Sequence, residues 1–297
     1  MPLEGLAVPT ATLFTEDGEI DLSKNARFTR GLLDQGILHV FALGSLGEFP
    51  SLTFEERETF LETVVESSTF HSDVWAGVGA PSTKKAVAHA DQAESLGAAV
   101  LVATPPFYLH PDAGGIRDYY RTLRKQTKLP LLAYNIPSLV GYALPPSLVH
   151  ELAREGTLQG IKDTSGSLPS VRSFLEGAPE GFAVFPGDDE LALDSLRAGA
   201  RGAIMGMGNI LPKLTVAFMN AARAEKWSEA ESLQQLIATL RQVVQKGPFP
   251  STVKFLMNRL RGVEVGYRSP YLPLTPEQEK AVVDALTPVE ASFKSYL

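Results

Sequence analysis

The 297-residue chain has no cysteine. That absence removes disulfides, thiolate nucleophiles, iron–sulfur clusters and cysteine-ligated zinc from consideration. It fits a reducing compartment. Basic residues are in deficit: 27 Lys and Arg stand against 34 Asp and Glu, a formal charge of −7. No basic stripe stands out, which argues against a general nucleic-acid binder. Long apolar runs are missing as well. Stretches such as Ala98–Ala103 are far too short to cross a bilayer. Met1–Phe14 carries Glu4 and no basic region ahead of an apolar run, so no targeting segment is visible. A cytoplasmic protein without a membrane partner is the expectation. The histidines, at 39, 71, 89, 110 and 150, lack metal-ligand spacing and give no reason to propose zinc.

What is present is an ordinary globular balance, 44% hydrophobic and 21% charged. The length allows one α/β barrel or two smaller domains. Short apolar runs recur near Leu6–Pro9, His39–Leu43, Val74–Val78, Val100–Ala103, Leu131–Tyr134, Gln159–Lys162, Ala183–Phe185 and Gly202–Met205. They lack clean alternation, as expected of parallel strands covered on both faces. Amphipathic segments fall between them: Thr53–Val65, Ser82–Leu96, Ala113–Thr127, Asp189–Ala198 and Leu211–Glu225. Thr53 and Glu56 have capping-box spacing. The alternation predicts an α/β fold, a (β/α)8 TIM barrel over residues 1–225. Beyond it, Trp227, Ala230, Leu233, Ile237, Leu240 and Val244 repeat with a helical period. Ser251–Arg261 and the Thr275–Pro276 start complete a helical C-terminal extension over 226–297.

Barrel sites lie at the C-terminal ends of the strands. Four segments with reactive residues fall there. Lys162 closes the sixth strand, where crowding and desolvation disfavour an ammonium and free the amine to attack a carbonyl. The bland alternatives are an exposed loop lysine or one paired with Asp163. Tyr134, ending strand five, could shuttle protons; alone, it reads better as a half-buried tyrosine. Gly44-Ser45-Leu46-Gly47-Glu48 offers backbone amides to an anion, or is a plain turn. Gly187-Asp188-Asp189-Glu190 could ligate Mg²⁺ or Mn²⁺, or meet substrate hydroxyls; helix capping by Asp188 and Asp189 is the simpler account.

Five motifs stand in register: Gly-Ser-x-Gly-Glu at 44–48, Thr-Pro-Pro-Phe-Tyr at 104–108, Tyr-Asn-x-Pro at 134–137, Gly-x-Lys at 160–162 and Gly-Asp-Asp at 187–189. Together they resemble the dihydrodipicolinate synthase / N-acetylneuraminate lyase superfamily of class I aldolases. The resemblance runs from Gly5 to the last helix. It implies that Lys162 forms a Schiff base with pyruvate, that Tyr134 carries the aldehyde's proton, and that Ser45 relays protons between Tyr134 and Tyr108. It implies that Tyr108 reaches a neighbouring subunit's site. The amides of Ser45 and Leu46 would hold the pyruvate carboxylate, with Gly187 and Ile204 lining it. No metal or organic cofactor is implied. The partners implied are pyruvate and an aldehyde, in a homotetramer built as a dimer of dimers.

Departures from that pattern bear on substrate. The synthases carry an arginine where this chain has Leu139, and leucine cannot pair with a carboxylate. Leu46 replaces a threonine. The sialic acid lyases resemble this chain at Leu139 and at the Asp189-Glu190 pair, which meets sugar hydroxyls there. The expectation is a pyruvate-dependent aldolase/lyase of 2-keto-3-deoxy sugar acids or related 4-hydroxy-2-oxo acids. Dihydrodipicolinate synthase is the alternative, with dehydratases, a non-catalytic 2-oxo acid binder and a metal-dependent aldolase behind it. Arg268 is expected at the surface.

Overall fold

The computed structural model describes residues 3–69 and 71–297. Among the described residues eight parallel strands form one sheet: β1 Gly5–Pro9, β2 His39–Ala42, β3 Asp73–Gly77, β4 Val100–Ala103, β5 Leu131–Asn135, β6 Gly160–Asp163, β7 Ala183–Pro186 and β8 Gly202–Ile204. From β1 to β7 each strand pairs with the next, and β8 pairs with β1. The Arg201 N–H donates to Val184 O across the β7–β8 seam, which leaves the barrel nearly closed. The expected (β/α)8 barrel is what the chain forms.

Helices alternate with the strands. They are α1 Leu22–Leu33, α2 Phe54–Glu66, α3 Thr83–Ser95, α4 Ala113–Gln126, a single turn α5 Pro137–Val140, α6 Pro146–Arg154, α7 Leu168–Leu175, α8 Ala192–Arg197 and α9 Pro212–Arg223. Then follow α10 Trp227–Val244, α11 Ser251–Arg261 and α12 Pro276–Leu286. The capping box at Thr53 and Glu56 is formed, and a second one, Thr275 with Gln278, opens α12. None of these helices is long and apolar enough to cross a membrane.

The strands are buried on both faces, so two cores result. The outer one lies between sheet and helices. The inner one fills the barrel with Phe41, Trp75, Leu132, Phe185 and Ile204 among others. That filling leaves no pore and forces any ligand to the rim.

Two expectations need correction. The helix expected at Asp189–Ala198 begins as a 3-10 turn, Asp189–Leu191, and becomes α-helical only from Ala192. Competing bonds explain this: Asp189 O accepts from Gln234 Nε2, 2.9 Å, and the Asp189 side chain turns away to the β8 loop. Arg268 is not a surface residue, for its side chain is only 15% exposed. Its guanidinium grips Glu56 with both ends, at 2.9 and 2.6 Å, and stacks over the Phe14 ring at 4.6 Å. Its Nε donates to Gly18 O, 2.6 Å. Arg268 thereby fastens the segment before α12 to α2, and its hydrogen bonds hold the Glu56 carboxyl below the usual range.

Candidate active site

Strand register sets the first group. Tyr134 of β5, Lys162 of β6 and Phe185 of β7 are successive register partners, so their side chains share one layer at the barrel mouth. Lys162 is 4% exposed. Its Nζ lies 4.0 Å from the Tyr134 ring centroid and 5.0 Å from that of Phe41. The pairing with Asp163 weighed above does not occur. One residue on, Asp163 points to the other face, where it accepts from Asn135 Nδ2 at 2.8 Å and from Ser165 Oγ at 3.0 Å. Among the described residues no carboxylate pairs with Lys162. An amine held between two aromatic rings, with no counter-ion to occupy it, is positioned to attack a carbonyl.

Gly187 makes that placement possible. A Cβ there would overlap Thr164 Oγ1 and sit 2.7 Å from Lys162 Cε. Only glycine lets the β7 end pass so close to the lysine stem.

The second group is the loop after β2. Ser45 Oγ lies 3.4 Å from the Tyr134 hydroxyl. Among the described residues, no protein acceptor takes the backbone N–H of Ser45 or Leu46. Adjacent free N–H groups form an anion nest. Burial would raise the Tyr134 phenol. The charge of Lys162 and hydrogen bonding with Lys162, Ser45 and Thr164 outweigh burial and hold it below its usual value. A phenol so shifted exchanges protons more readily near neutral pH.

These groups open into a cavity of about 230 Å³, with Lys162, Tyr134, Ser45, Leu46 and Gly187 in its wall. Leu139, 63% exposed, stands at its rim. Glu190 and Ile204 do not line it. Glu190 follows the Asp188 cap, and Ile204 packs in the inner core beneath. Asp189 is in the wall, yet its two oxygens accept the N–H of Gly206 and Met207 at 3.1 and 3.0 Å. It ties the β7 and β8 loops together and is not poised as a free hydroxyl acceptor. Burial pushes its carboxyl up to about 6 against those bonds. Tyr108 lies outside its own chain's cavity, 88% exposed and at a positive φ of 74°. Among the described residues no three His, Asp or Glu side chains are placed to share a metal ion.

Sequence reasoning missed several parts. Thr164 lies in the wall, two residues beyond Lys162. The outer wall comes from the C-terminal extension: Arg241 and Val244 of α10, Phe249 in the turn after it, and Val253 of α11. A signal for Arg241 existed, because Ile237, Arg241 and Val244 are spaced to share one face of α10. Behind the nest lies a buried ion pair, Glu48 with Lys254, at 2.6 Å and 1% exposure each. Burial raises the Glu48 carboxyl and lowers the Lys254 amine.

A parallel barrel with a lysine, a tyrosine and an anion nest at its mouth is the arrangement of a class I aldolase, a carbon–carbon lyase. The chain belongs to the Dihydrodipicolinate synthetase family, whose profile matches residues 2–289. It is 34% identical to an uncharacterized DapA-like lyase of Halobacterium salinarum, covering 94% of this chain and 92% of that one. It is 31% identical to a 4-hydroxy-tetrahydrodipicolinate synthase of Chlorobium chlorochromatii, over 96% and 97% of the two chains. Among solved structures it is similar to YagE, a prophage protein of the dihydrodipicolinic acid synthase family from E. coli K12, solved in complex with pyruvate. There the TM-score is 0.92 at 28% identity, covering 97% of this chain and 99% of that one.

Proposed function

We propose that the protein makes or cleaves 4-hydroxy-2-oxo acids through a pyruvate Schiff base on Lys162. The observation that carries this is the buried lysine sharing its layer with Tyr134, beside the free amides of Ser45 and Leu46. The amides hold the pyruvate carboxylate. Lys162 Nζ attacks the keto carbon, and water leaves to give the imine. The protonated imine draws electrons as the methyl carbon loses a proton, which yields an enamine. The enamine carbon bonds to the aldehyde carbon, and the aldehyde oxygen takes its proton from Tyr134. Water then releases the product and frees the lysine. Cleavage runs the same steps in reverse. Ser45, at 3.4 Å, returns the proton to Tyr134.

The acceptor is assigned to the sugar-acid or related 4-hydroxy-2-oxo acid side, because Leu139 offers no cation at the rim. A second reading is condensation with aspartate semialdehyde, which the name of the Chlorobium relative favours. We further place the enzyme in the cytoplasm as a homotetramer. The exposed Tyr108 and Leu109, at 88% and 77%, then serve the contact between subunits. Tyr108 of the partner subunit would complete the relay at Ser45.

The test is product mass after incubation with pyruvate and single aldehydes, with and without chelator. An adduct of pyruvate plus aldehyde, formed equally in chelator, supports the reading. A product lighter by one water directs it to dehydration, except with aspartate semialdehyde, whose amine closes on the keto carbon with loss of the same water. No pyruvate turnover with any aldehyde, and none released from 4-hydroxy-2-oxo acids, contradicts it.

A further inference from the structure

Arg241 takes no part in the steps above. It stands on the face of α10 that carries Ile237 and Val244, both turned toward the barrel. It lines the same cavity as Lys162. Beside it the outer wall is apolar, made by Val244, Phe249 and Val253, with Leu139 at the rim. Among the described residues no ion pair or side-chain hydrogen bond engages its guanidinium, which acts on Asp189 through charge alone. Among the described residues neither acid on this wall forms an ion pair with Arg241. Both Asp189 oxygens accept backbone N–H groups, and Asp188 Oδ1 accepts the Glu190 N–H at 3.0 Å. A guanidinium against an apolar wall, without a bonded carboxylate, keeps its whole fork of donors for a ligand.

We infer that Arg241 binds the anionic end, a carboxylate or a phosphate, of the acceptor aldehyde while the aldehyde carbon lies over the enamine on Lys162. The inference rests on the Schiff-base reading and names its substrate class. The extension's helix, and not the rim at Leu139, reads the acceptor's charge. A planar fork opposite a planar or tetrahedral anion gives paired hydrogen bonds, which a neutral acceptor cannot offer. The 230 Å³ cavity limits the acceptor to a short chain once pyruvate is bound.

The experiment compares matched acceptors on the full-length enzyme. Succinic semialdehyde is set against butanal, and glyceraldehyde 3-phosphate against glyceraldehyde. Wild type should favour a charged member by about 10- to 100-fold in kcat/KM, the span of one charge-assisted contact. Whichever pair shows the preference identifies carboxylate or phosphate. Arg241→Gln should collapse that ratio through KM for the charged acceptor, and Arg241→Lys should restore part of it. Thermal melts confirm that both variants fold. An unchanged ratio in Arg241→Gln overturns the inference, as does a wild type indifferent to charge. Borohydride trapping with pyruvate separates the two levels. An adduct on Lys162 without charge preference overturns the Arg241 role alone, whereas no adduct overturns the Schiff-base reading and this inference with it.

Discussion

Lys254→Met should be far more damaging alone than in combination with Glu48→Gln. Glu48 follows the Ser45–Leu46 nest, at a positive φ of 54°, and Lys254 lies on α11. Their 2.6 Å contact, 1% exposed on both sides, joins the active-site loop to the C-terminal extension. Lys254 also donates to Gly266 O at 3.2 Å and sits 4.5 Å from the Phe14 ring centroid. Methionine keeps the stem length but removes the cation. The Glu48 carboxylate is then buried with no counter-charge, and its Oε2 already lacks a hydrogen-bond partner among the described residues. Breaking a buried pair from one side costs about 3–5 kcal/mol. The double variant leaves a neutral amide beside a thioether, and replacing such a pair wholesale is close to neutral. The coupling between the two sites should therefore be at least about 3 kcal/mol. Urea unfolding of the four proteins at pH 7 reads it directly. A coupling below about 0.5 kcal/mol would refute the argument, because independent sites add to within that margin.

Other consequences follow from single contacts. Gly187→Ala places a methyl 2.7 Å from Lys162 Cε, so kcat should fall by about 100-fold with an unchanged far-UV spectrum; wild-type kcat would contradict the close-approach account. Tyr134→Phe keeps the ring beside Lys162 and removes the proton carrier, so kcat should fall by about 10²–10⁴. Single-turnover kinetics should show the carbon–carbon step slowed more than imine formation; equal slowing would count against the role. The Asp189 carboxyl lies at about 6, above its ordinary 3.8, so the folded state holds that proton more tightly than the unfolded state. Its contribution to stability is complete below pH ~4 and is lost as pH rises to ~6, a decline of about 3 kcal/mol. Asp189→Asn should flatten that part of the stability curve, and a slope identical to wild type would contradict the shift.

The barrel was legible because each strand is a short apolar run between amphipathic segments. Val100–Ala103 and β4 coincide, and β1 and β5 differ from expectation by one residue. Lys162, Tyr134 and Ser45 were legible because strand ends in a barrel converge on one rim. The residues that escaped notice are those whose position depends on chain brought from far away. Arg268 meets Glu56 across more than two hundred residues, and nothing local to Arg268 announces it. Lys254 reads as one more polar residue on α11 until the extension folds back onto Glu48. Arg241 did leave a trace, a cation at a position shared with Ile237 and Val244. The Asp189-Glu190 pair misled in the opposite way. Adjacent acids imply a shared site, yet their side chains part: Asp189 bonds to the β8 loop, while Glu190 stays off the cavity wall.

Borohydride reduction in the presence of pyruvate, followed by peptide mass spectrometry, tests the central claim most directly. A reduced pyruvate adduct on Lys162, lost in Lys162→Ala, is the result the geometry predicts. An unmodified wild-type protein, or an adduct on another lysine such as Lys254, would contradict it.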